Sequence, residues 1–316
     1  MEIAFDRMLN ALKAVGEETR LRILALFRTG ELTVTELVTI LRQSQPRVSR
    51  HLRLLCEAGL LERYREGTWI FYRLAEGGPE GDMARAIMQY IPFSEQILRH
   101  DGERLAEIKA ERKENATRYF SENAEDWDRI RTLYVSEDEV EKILLEVTAD
   151  MKIDDFLDVG TGTGRILEVF APRIGRGTGI DLSREMLAVA RVNLERAKLH
   201  NCQVRQGDMY DLALADQSVD LILIHQVLHF ADDPSTALRE ASRLLRHNGR
   251  VIVVDFAPHT LEYLRDEQAH RRLGFKDTEV IGWLEQVGLK SDPVIHLKGT
   301  QLDLSIWVAR KQQQEN

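Results

Sequence analysis

Three glycines at alternate positions, Gly160, Gly162 and Gly164, separate an apolar segment from an amphipathic one. A glycine has no Cβ, so its backbone can adopt left-handed angles and approach a ligand closely. The segment that follows predicts a helix, whose first N–H groups would face the same ligand. These residue types and this spacing predict a site for a nucleotide-like cofactor.

The spacing also distinguishes between cofactors. The dinucleotide fingerprint requires glycine or alanine at the position of Arg165. The loop from Asp158 through Thr161 to Gly164 instead resembles the first motif of class I S-adenosylmethionine-dependent methyltransferases, an acid followed by three alternating glycines. The resemblance implies S-adenosylmethionine (SAM) or its product S-adenosylhomocysteine (SAH) as ligand. A tight turn in another doubly wound domain is the alternative.

Acidic residues follow at the ends of the next predicted strands. Asp181 closes the second strand, where a carboxylate can accept both hydroxyls of a ribose, and Leu182 continues the site. Asp208 and Met209 end the third strand, and Asp208 could accept a hydrogen bond from an adenine amino group. An aspartate after a glycine is also an ordinary turn residue, so both interpretations of Asp208 stay open.

Two near-continuous apolar runs, Val219 to Phe230 and Arg250 to Phe256, are typical of strands buried in a parallel sheet. A helix between them is expected to end at Asn248-Gly249, and two final strands follow Gly288. The resemblance to the methyltransferases covers residues 115–311. It implies an α/β Rossmann-like domain with a seven-stranded sheet and an antiparallel edge hairpin.

Polar residues after the fourth strand are candidates for the cofactor pocket. His225 and His229 are four residues apart, as in zinc proteases, but Gln226 stands where that motif requires glutamate. The methyltransferase resemblance places Gln226 and His229 beside the methionine part of the cofactor, so we interpret them as pocket residues and not as metal ligands. No residue is assigned a catalytic role.

The first third of the chain predicts a DNA-binding module. Ser44 and Pro46 predict a helix start, and Val48, Leu52 and Leu55 recur at the spacing of one buried helix face. The opposite face carries the residue types that contact phosphates and base edges in a major groove. These residues are Gln45, Arg47, Ser49, Arg50 and Arg53.

Two predicted strands around Glu66-Gly67 form a hairpin beside this helix and add Arg63 and Arg65. Residues 5–91 resemble the ArsR/SmtB family of winged helix-turn-helix repressors, which implies an α+β domain that binds double-stranded operator DNA as a homodimer. The whole chain has a formal net charge of −9, but seven arginines against three glutamates give residues 42–73 a local balance of +4. Local charge governs attraction to DNA.

Thiolate ligands for a metal effector are scarce in this sequence. Thr33 and Thr35 occupy the positions that the resemblance assigns to the cysteines of metal-responsive members, and Cys56 and Cys202 are the only cysteines. Hydroxyl groups do not replace thiolates as ligands for soft metals. We therefore expect no metal site.

Length and composition predict two domains in a cytoplasmic protein. The 316 residues, 43% of them apolar, suffice for two cores, and we find neither a membrane-spanning run nor a signal peptide. We expect the DNA-binding domain at 1–92, a helical connector and pocket cap at 93–135, and the methyltransferase-like domain at 136–316. Tyr119, Phe120, Trp127 and Tyr134 are the aromatic candidates for the cap.

Two functions remain open at this point. The first is a transcriptional regulator that senses SAM or SAH and controls genes of the methyl cycle. The second is an active small-molecule methyltransferase with a DNA-binding module, whose acceptor would lie near Tyr119, Gln226, His229 and residues 259–272. Charged residues of the last segment, Glu262, Arg265, Arg271 and Arg272 with His270, could bind an acidic molecule or form ion pairs.

Some acceptors are excluded by absent motifs. The chain lacks the Asn/Asp-Pro-Pro-aromatic motif of base amino-group methylation and the Pro-Cys nucleophile of cytosine C5 transfer. Arsenite methylation uses several cysteines, and two distant ones do not suffice. Methyl transfer can proceed by proximity and alignment alone, so these patterns do not separate a sensor from an enzyme.

Overall fold

The computed structural model describes residues 3–29, 31–66, 69–75, 78–123 and 136–312. The chain divides into two compact units, 1–114 and 115–316. Trp127 and Tyr134 of the expected aromatic cap lie outside the described residues, as do the side chains of Tyr119 and Phe120. In the described ranges, no helix is both long and apolar enough to cross a membrane.

The first unit consists of helices around a small antiparallel sheet. Its helices are α1 (Phe5–Val15), α2 (Glu18–Leu26), α3 (Val34–Leu41), α4 (Gln45–Glu57), α5 (Gly78–Gln89) and α6 (Gln96–Asn123). Its strands are β1 (Leu32–Thr33), β2 (Leu61–Glu66) and β3 (Trp69–Leu74), in the order β1-β3-β2. The expected hairpin is therefore present directly after α4.

Local sequence signals set the helix-turn-helix part of this unit. Thr33 begins α3 with a capping box: its hydroxyl accepts from the Glu36 N–H, and the Glu36 carboxylate accepts from the Thr33 N–H. Ser44 occupies the position before α4 without a side-chain capping bond. Val48, Leu52 and Leu55 are fully buried, so one face of α4 is fixed in the core.

The second unit alternates strands and helices around one large sheet. Its helices are α7 (Glu137–Glu146), α8 (Arg165–Phe170), α9 (Arg184–Arg196), α10 (Pro234–Leu244), α11 (Tyr263–Glu267) and α12 (Asp277–Gln286). Its strands are β4 (Ile153–Val159), β5 (Ile174–Asp181), β6 (Cys202–Gln206), β7 (Val219–His225), β8 (Leu245–Phe256), β9 (Leu289–Ser291), β10 (Ile295–Leu297) and β11 (Leu304–Lys311).

The sheet has the order β10-β11-β8-β7-β4-β5-β6, and β9 also pairs with β11. Strands β4 to β8 are parallel, whereas β11 runs antiparallel to β8, β9 and β10. Among the described residues, this sheet thus has eight strands, and the expected count of seven was wrong. The reason is that β11 is long enough to pair with two short strands, β9 near one end and β10 near the other.

The connection between α10 and β8 also differs from the expectation. Helix α10 ends at Leu244, and Asn248 and Gly249 lie inside β8 instead of closing the helix. Asn248 has a φ of +65°, and the pairing of β7 with β8 shifts register here. A Cβ on Gly249 would lie 3.0 Å from the Asp220 carbonyl oxygen, so close strand packing explains this glycine.

Candidate cofactor and nucleic-acid sites

The glycine loop joins β4 to α8 at the carboxyl edge of the parallel strands. Gly160, Gly162 and Gly164 have φ values of +73°, +52° and +84°, a region that residues with a Cβ rarely adopt. A Cβ on Gly160 would lie 2.2 Å from the Val227 side chain. The loop conformation therefore requires glycine, as the spacing predicted.

Hydrogen bonds from neighbouring strands hold this loop in place. The N–H groups of Gly160 and Thr161 both donate to the Ile180 carbonyl oxygen, at 2.7 and 3.0 Å. The buried Thr161 hydroxyl donates to Asp158 Oδ2 at 2.6 Å. Asp158 is itself 1% exposed, so it supports the loop from within the domain.

Asp181 lies at the end of β5, next to the glycine loop. Its carboxylate accepts from the Gly162 N–H and from the Ser183 N–H, both at 2.9 Å. An ionised carboxylate has about four acceptor sites, so acceptor capacity remains for a ligand. Burial raises the pKa of Asp181 above its ordinary value, although these backbone bonds oppose the shift. Leu182 follows, half-buried.

Asp208 and Met209 are half-buried in the turn after β6. The Asp208 carboxylate accepts a hydrogen bond from the Tyr210 N–H at 3.2 Å. The backbone of Asp208 also forms an isolated antiparallel β-bridge with that of Asp211. Asp208 thus has the turn role that its sequence position allowed. Its contact with adenine stays a prediction.

Gln226 is the first residue after β7 and has an unusual conformation. Its φ is +53°, and its N–H donates to the Val254 carbonyl oxygen at 2.7 Å. The residue is 6% exposed, and its Nε2 has no hydrogen-bond partner among the described residues. An unpaired buried polar group costs about 1–3 kcal/mol, which a bound ligand with an acceptor atom would offset.

His229 lies in the short turn after Gln226, and the structure gives it a partner that the sequence analysis missed. Its Nδ1 is 2.8 Å from the Asp255 Oδ1, and both side chains are buried. The missed signal was a single acid near the end of the apolar run of β8. In residues 259–272, the arginines Arg265, Arg271 and Arg272 pair with Glu262, Asp232 and Glu279 respectively, which confirms the ion-pair interpretation.

The predicted DNA-facing residues lie on α4 and on the hairpin. Ser49 is half-buried, and the other predicted residues are exposed, namely Gln45, Arg47, Arg50, Arg53, Arg63 and Arg65. Arg53 Nε is 3.7 Å from the Glu57 carboxylate, and this pair is more than 60% exposed on each side. These arginines are accessible to an anionic partner.

The two cysteines lie in different units, Cys56 in the first and Cys202 in the second. Burial raises the pKa of each thiol to about 11. Both thiols are therefore protonated at neutral pH, a form that neither attacks as a nucleophile nor ligates a metal well.

Two family models match the chain, one in each unit. The model of the bacterial regulatory protein arsR family matches residues 17–63, and the model of a methyltransferase domain matches residues 157–253. The chain is 40% identical over 97 residues to the arsenic resistance transcriptional regulator ArsR1 of Pseudomonas putida. That alignment covers 30% of this chain and 75% of the regulator.

The second unit has relatives among methyltransferases. The chain is 31% identical over 141 residues to the uncharacterized methyltransferase YcgJ of Bacillus subtilis, covering 44% of this chain and 54% of YcgJ. It is 37% identical over 127 residues to an arsenite methyltransferase of Aquipseudomonas alcaligenes, covering 37% of this chain and 34% of that enzyme. The chain thus spans about half or less of these two relatives.

The solved structure of geranyl diphosphate methyltransferase in complex with SAM shares the fold, with a TM-score of 0.50 and 15% identity. The alignment covers 55% of this chain and 85% of the geranyl diphosphate methyltransferase chain. The match to the arsR family model and the coverage of 75% of the ArsR1 regulator at 40% identity show that the chain belongs to the ArsR family of bacterial regulatory proteins. Its second unit is a class I methyltransferase domain, so the chain joins a regulator domain to a methyltransferase domain.

Proposed function

We propose that the chain is an operator-binding transcriptional regulator whose methyltransferase domain binds SAM or SAH as an effector. The observation that carries the proposal is the preformed glycine loop, whose backbone at Gly160 leaves no room for a Cβ beside Val227. Such a loop allows a ligand to approach the backbone closely. The regulator domain joined to it gives a bound ligand a function other than catalysis.

The polar groups around the loop fit SAM and SAH. Asp181 keeps acceptor sites for the ribose hydroxyls, and Leu182 lies beside it. The unpartnered Nε2 of Gln226 is a donor for the methionine carboxylate, and Asp208 with Met209 would contact the adenine. SAM differs from SAH by a methyl group and a positive charge on sulfur, so the two ligands can have different effects on one site.

The exposed face of α4 supports operator binding. Its arginines and Gln45 are the side chains that form bidentate contacts with guanine and adenine in a major groove, and the buried face fixes their orientation. The β2–β3 hairpin would act as the wing of a winged helix, with Arg63 and Arg65 reaching the flanking phosphates.

An apolar stripe on α1 supports a homodimer. Phe5 is 78% exposed, and Met8, Leu9 and Leu12 continue the stripe at helical spacing with 37–45% exposure. An exposed apolar stripe of this kind marks a protein interface more often than a solvated surface. A two-fold dimer would present two copies of α4 to a palindromic operator.

The proposed regulated genes are those of the methyl cycle, because a sensor of SAM or SAH would report the methylation capacity of the cell. A ligand shifts a regulator only to the extent that it binds the DNA-competent and incompetent states differently. The sign of regulation follows from which of these two states has the higher ligand affinity.

The test is operator binding by the full chain at fixed salt, titrated with SAM and separately with SAH. The DNA probe is the region upstream of the protein's own gene. We expect a ligand-dependent change of at least fivefold in affinity, the lower end of usual allosteric couplings. Equal operator affinity with and without saturating ligand would remove the effector role.

A matched pair of variants separates the effector site from general damage. Gly160→Ala introduces a Cβ against Val227 in a left-handed backbone, and Gly282→Ala adds one where no atom lies within 4 Å. We expect G160A to weaken SAM binding on the order of 100-fold and to abolish the ligand effect on DNA, since the strain is about 1–3 kcal/mol before any clash. G282A should behave as the parent protein.

A further inference from the structure

Three histidines and one aspartate form a polar cluster at the carboxyl ends of β7 and β8. His229 follows β7, Asp255 is the penultimate residue of β8, and His259 and His270 come from the segment after β8. The His229 ring centroid lies 4.1 Å from that of His270, and both residues are at least 95% buried. We call these four residues the histidine cluster.

Asp255 fixes the orientation and the tautomer of His229. The fully buried carboxylate accepts from the His229 backbone N–H at 3.1 Å and approaches the His229 Nδ1 at 2.8 Å. It also accepts from the Phe256 N–H at 2.8 Å. Because an ionised carboxylate only accepts hydrogen bonds, it favours the tautomer of a neutral His229 ring that has its proton on Nδ1 and the free electron pair on Nε2.

The other two histidines have buried ring nitrogens without partners. Among the described residues, neither His259 Nε2 nor His270 Nδ1 has a hydrogen-bond partner. Burial, the neighbouring histidines and Arg265 lower the pKa of His259 to about 4 and the pKa of His270 well below its ordinary value. Both rings are therefore neutral at physiological pH, and each offers a hydrogen-bonding group to a ligand.

The charges around the cluster indicate an uncharged ligand. Arg265, Arg271 and Arg272 each pair with an acid, so a carboxylate would have to compete for them. Asp255 is engaged by three hydrogen-bonding contacts, so an ammonium group would compete likewise. A hydroxyl group can both donate to and accept from neutral imidazoles without displacing any of these pairs.

Two phenylalanine rings border the histidine cluster and make its surroundings aromatic. The ring of Phe230 lies 4.0 Å from that of His229, and the ring of Phe256 lies 5.1 Å from it. The Phe256 ring also stacks against His270 at 5.6 Å. Aromatic surfaces pair well with another aromatic ring. A phenol combines such a ring with one hydroxyl group.

We propose that the histidine cluster is a methyl-acceptor site for a phenolic compound, in which the His229 Nε2 accepts the hydroxyl proton and Asp255 positions His229. This inference rests on the proposed binding of SAM, which supplies the methyl group and leaves as the neutral thioether SAH. The O–CH₃ bond forms as the S–CH₃ bond breaks, and the S–CH₃ electron pair remains on sulfur. The O–H proton passes to His229, and the resulting imidazolium is stabilised by Asp255.

The test uses the full chain with isotope-labelled histidine, loaded with SAM, and phenol at millimolar concentration as the probe. We expect phenol to shift the ring resonances of His229, His259 and His270, whereas toluene, which lacks the hydroxyl, should shift them less. Methyl-labelled SAM should transfer its label to phenol. Shifts caused by benzoate and not by phenol would overturn the uncharged-ligand assignment.

Two variants separate proton transfer from folding. Asp255→Asn keeps the shape but can donate to Nδ1, which reverses the His229 tautomer, and His229→Gln removes the proton acceptor. Measured at saturating SAM, both should lose label transfer on the order of 100-fold, the usual contribution of a general base. His247→Gln, at an exposed position of β8, should transfer at the parental rate.

The outcomes distinguish this inference from the proposed function. Unchanged histidine resonances with phenol, no label transfer to phenol, or parental transfer by Asp255→Asn would overturn the inference. A chain that binds SAM and methylates phenol without any change in operator affinity would support the inference and remove the effector role. Failure of the parent protein to bind SAM would overturn both.

Discussion

The exposed face of α4 and the carboxyl edge of the large sheet are the two proposed ligand sites of this chain, and they are built in opposite ways. On α4, four long polar side chains, Gln45, Arg47, Arg50 and Arg53, project from a helix that three buried residues already anchor. At the sheet edge, the corresponding groups are backbone N–H groups, a strained Gln226 and buried carboxylates that also hold the fold together. Binding residues on α4 can therefore be replaced without loss of stability, whereas those at the sheet edge cannot.

This difference has a physical origin in the ligands. A DNA backbone is a dense array of charges, and exposed arginines contact it without being desolvated in advance. A nucleoside-like ligand carries few charges and is recognised by close approach and by buried hydrogen bonds, so its site must be preorganised. The comparison predicts how each region responds to mutation, salt and pH.

The largest effect is expected from removing a buried charge in the first unit. This variant tests whether the burial of a group, and not the unit in which it lies, decides how much free energy of unfolding is lost. Asp101 on α6 is 2% exposed and binds Arg22 on α2 through two hydrogen bonds of 2.7 and 2.9 Å. It also pairs with Arg104. Asp101→Asn removes the buried negative charge that both guanidinium groups share and should lower the free energy of unfolding by about 3–5 kcal/mol.

The matched control is Glu57→Gln, which removes the exposed pair with Arg53. Exposed pairs contribute little, so urea unfolding should show a change below about 1 kcal/mol. Equal effects of Asp101→Asn and Glu57→Gln would contradict the assignment of stability to buried polar contacts.

Added salt should weaken operator binding much more than it weakens SAM binding. If six arginine–phosphate contacts form across a dimer, operator affinity should fall on the order of 1,000-fold between about 50 and 200 mM salt. SAM affinity should change less than about threefold, because its site is preorganised by short-range hydrogen bonds. Fluorescence anisotropy of labelled operator and calorimetry with SAM measure the two. A salt-independent operator complex would contradict contact through the arginines of α4.

Acid should destabilise the second unit more than the first through His259. Its pKa is about 4 in the fold and about 6.5 when unfolded, so between these values the unfolded chain binds more protons. The contribution of the neutral His259 ring to stability is therefore fully present above pH 6.5 and is lost as the pH falls towards 4. From pH 7.5 to pH 5, His259 alone should cost about 2 kcal/mol.

His259→Gln should reduce this pH dependence in urea unfolding, since a neutral amide does not titrate. An identical slope for the parent protein and His259→Gln would contradict the lowered pKa of His259.

The smallest effect is expected from a single exposed arginine. Arg50→Ala should weaken operator binding by about 1 kcal/mol and change the free energy of unfolding by less than about 0.5 kcal/mol. On the same helix, Leu52→Ala should destabilise the fold by about 2–5 kcal/mol, because Leu52 is fully buried. Comparable stability losses for both variants would refute the separation between binding and folding on α4.

Patterns of short range predicted much of this molecule. The periodic apolar residues Val48, Leu52 and Leu55 gave the buried face of α4, and Ser44 with Pro46 gave its start. The alternating glycines gave a loop with three left-handed residues. These predictions succeed because a helix face, a cap and a glycine turn depend on residues within a few positions of one another.

Other features depend on residues that are far apart in the chain, and the sequence analysis missed them. The pairing of His229 with Asp255 joins a residue before α10 to one near the end of β8. The eighth strand arises because β11 is long enough to pair with both β9 and β10. A periodic pattern carries no information on which distant partners meet.

The sequence by itself determined the two domain types, the outward arginines of α4 and the glycine loop after β4, because each follows from local backbone preferences and local periodicity. Tertiary structure alone decided that Asp158 supports the loop through Thr161 and that Gln226 is buried with an unpartnered amide nitrogen. It also decided that Asp255 orients His229. The physical reason is that desolvation and hydrogen-bond partnership are properties of packing, which brings separate segments into contact only in the folded chain.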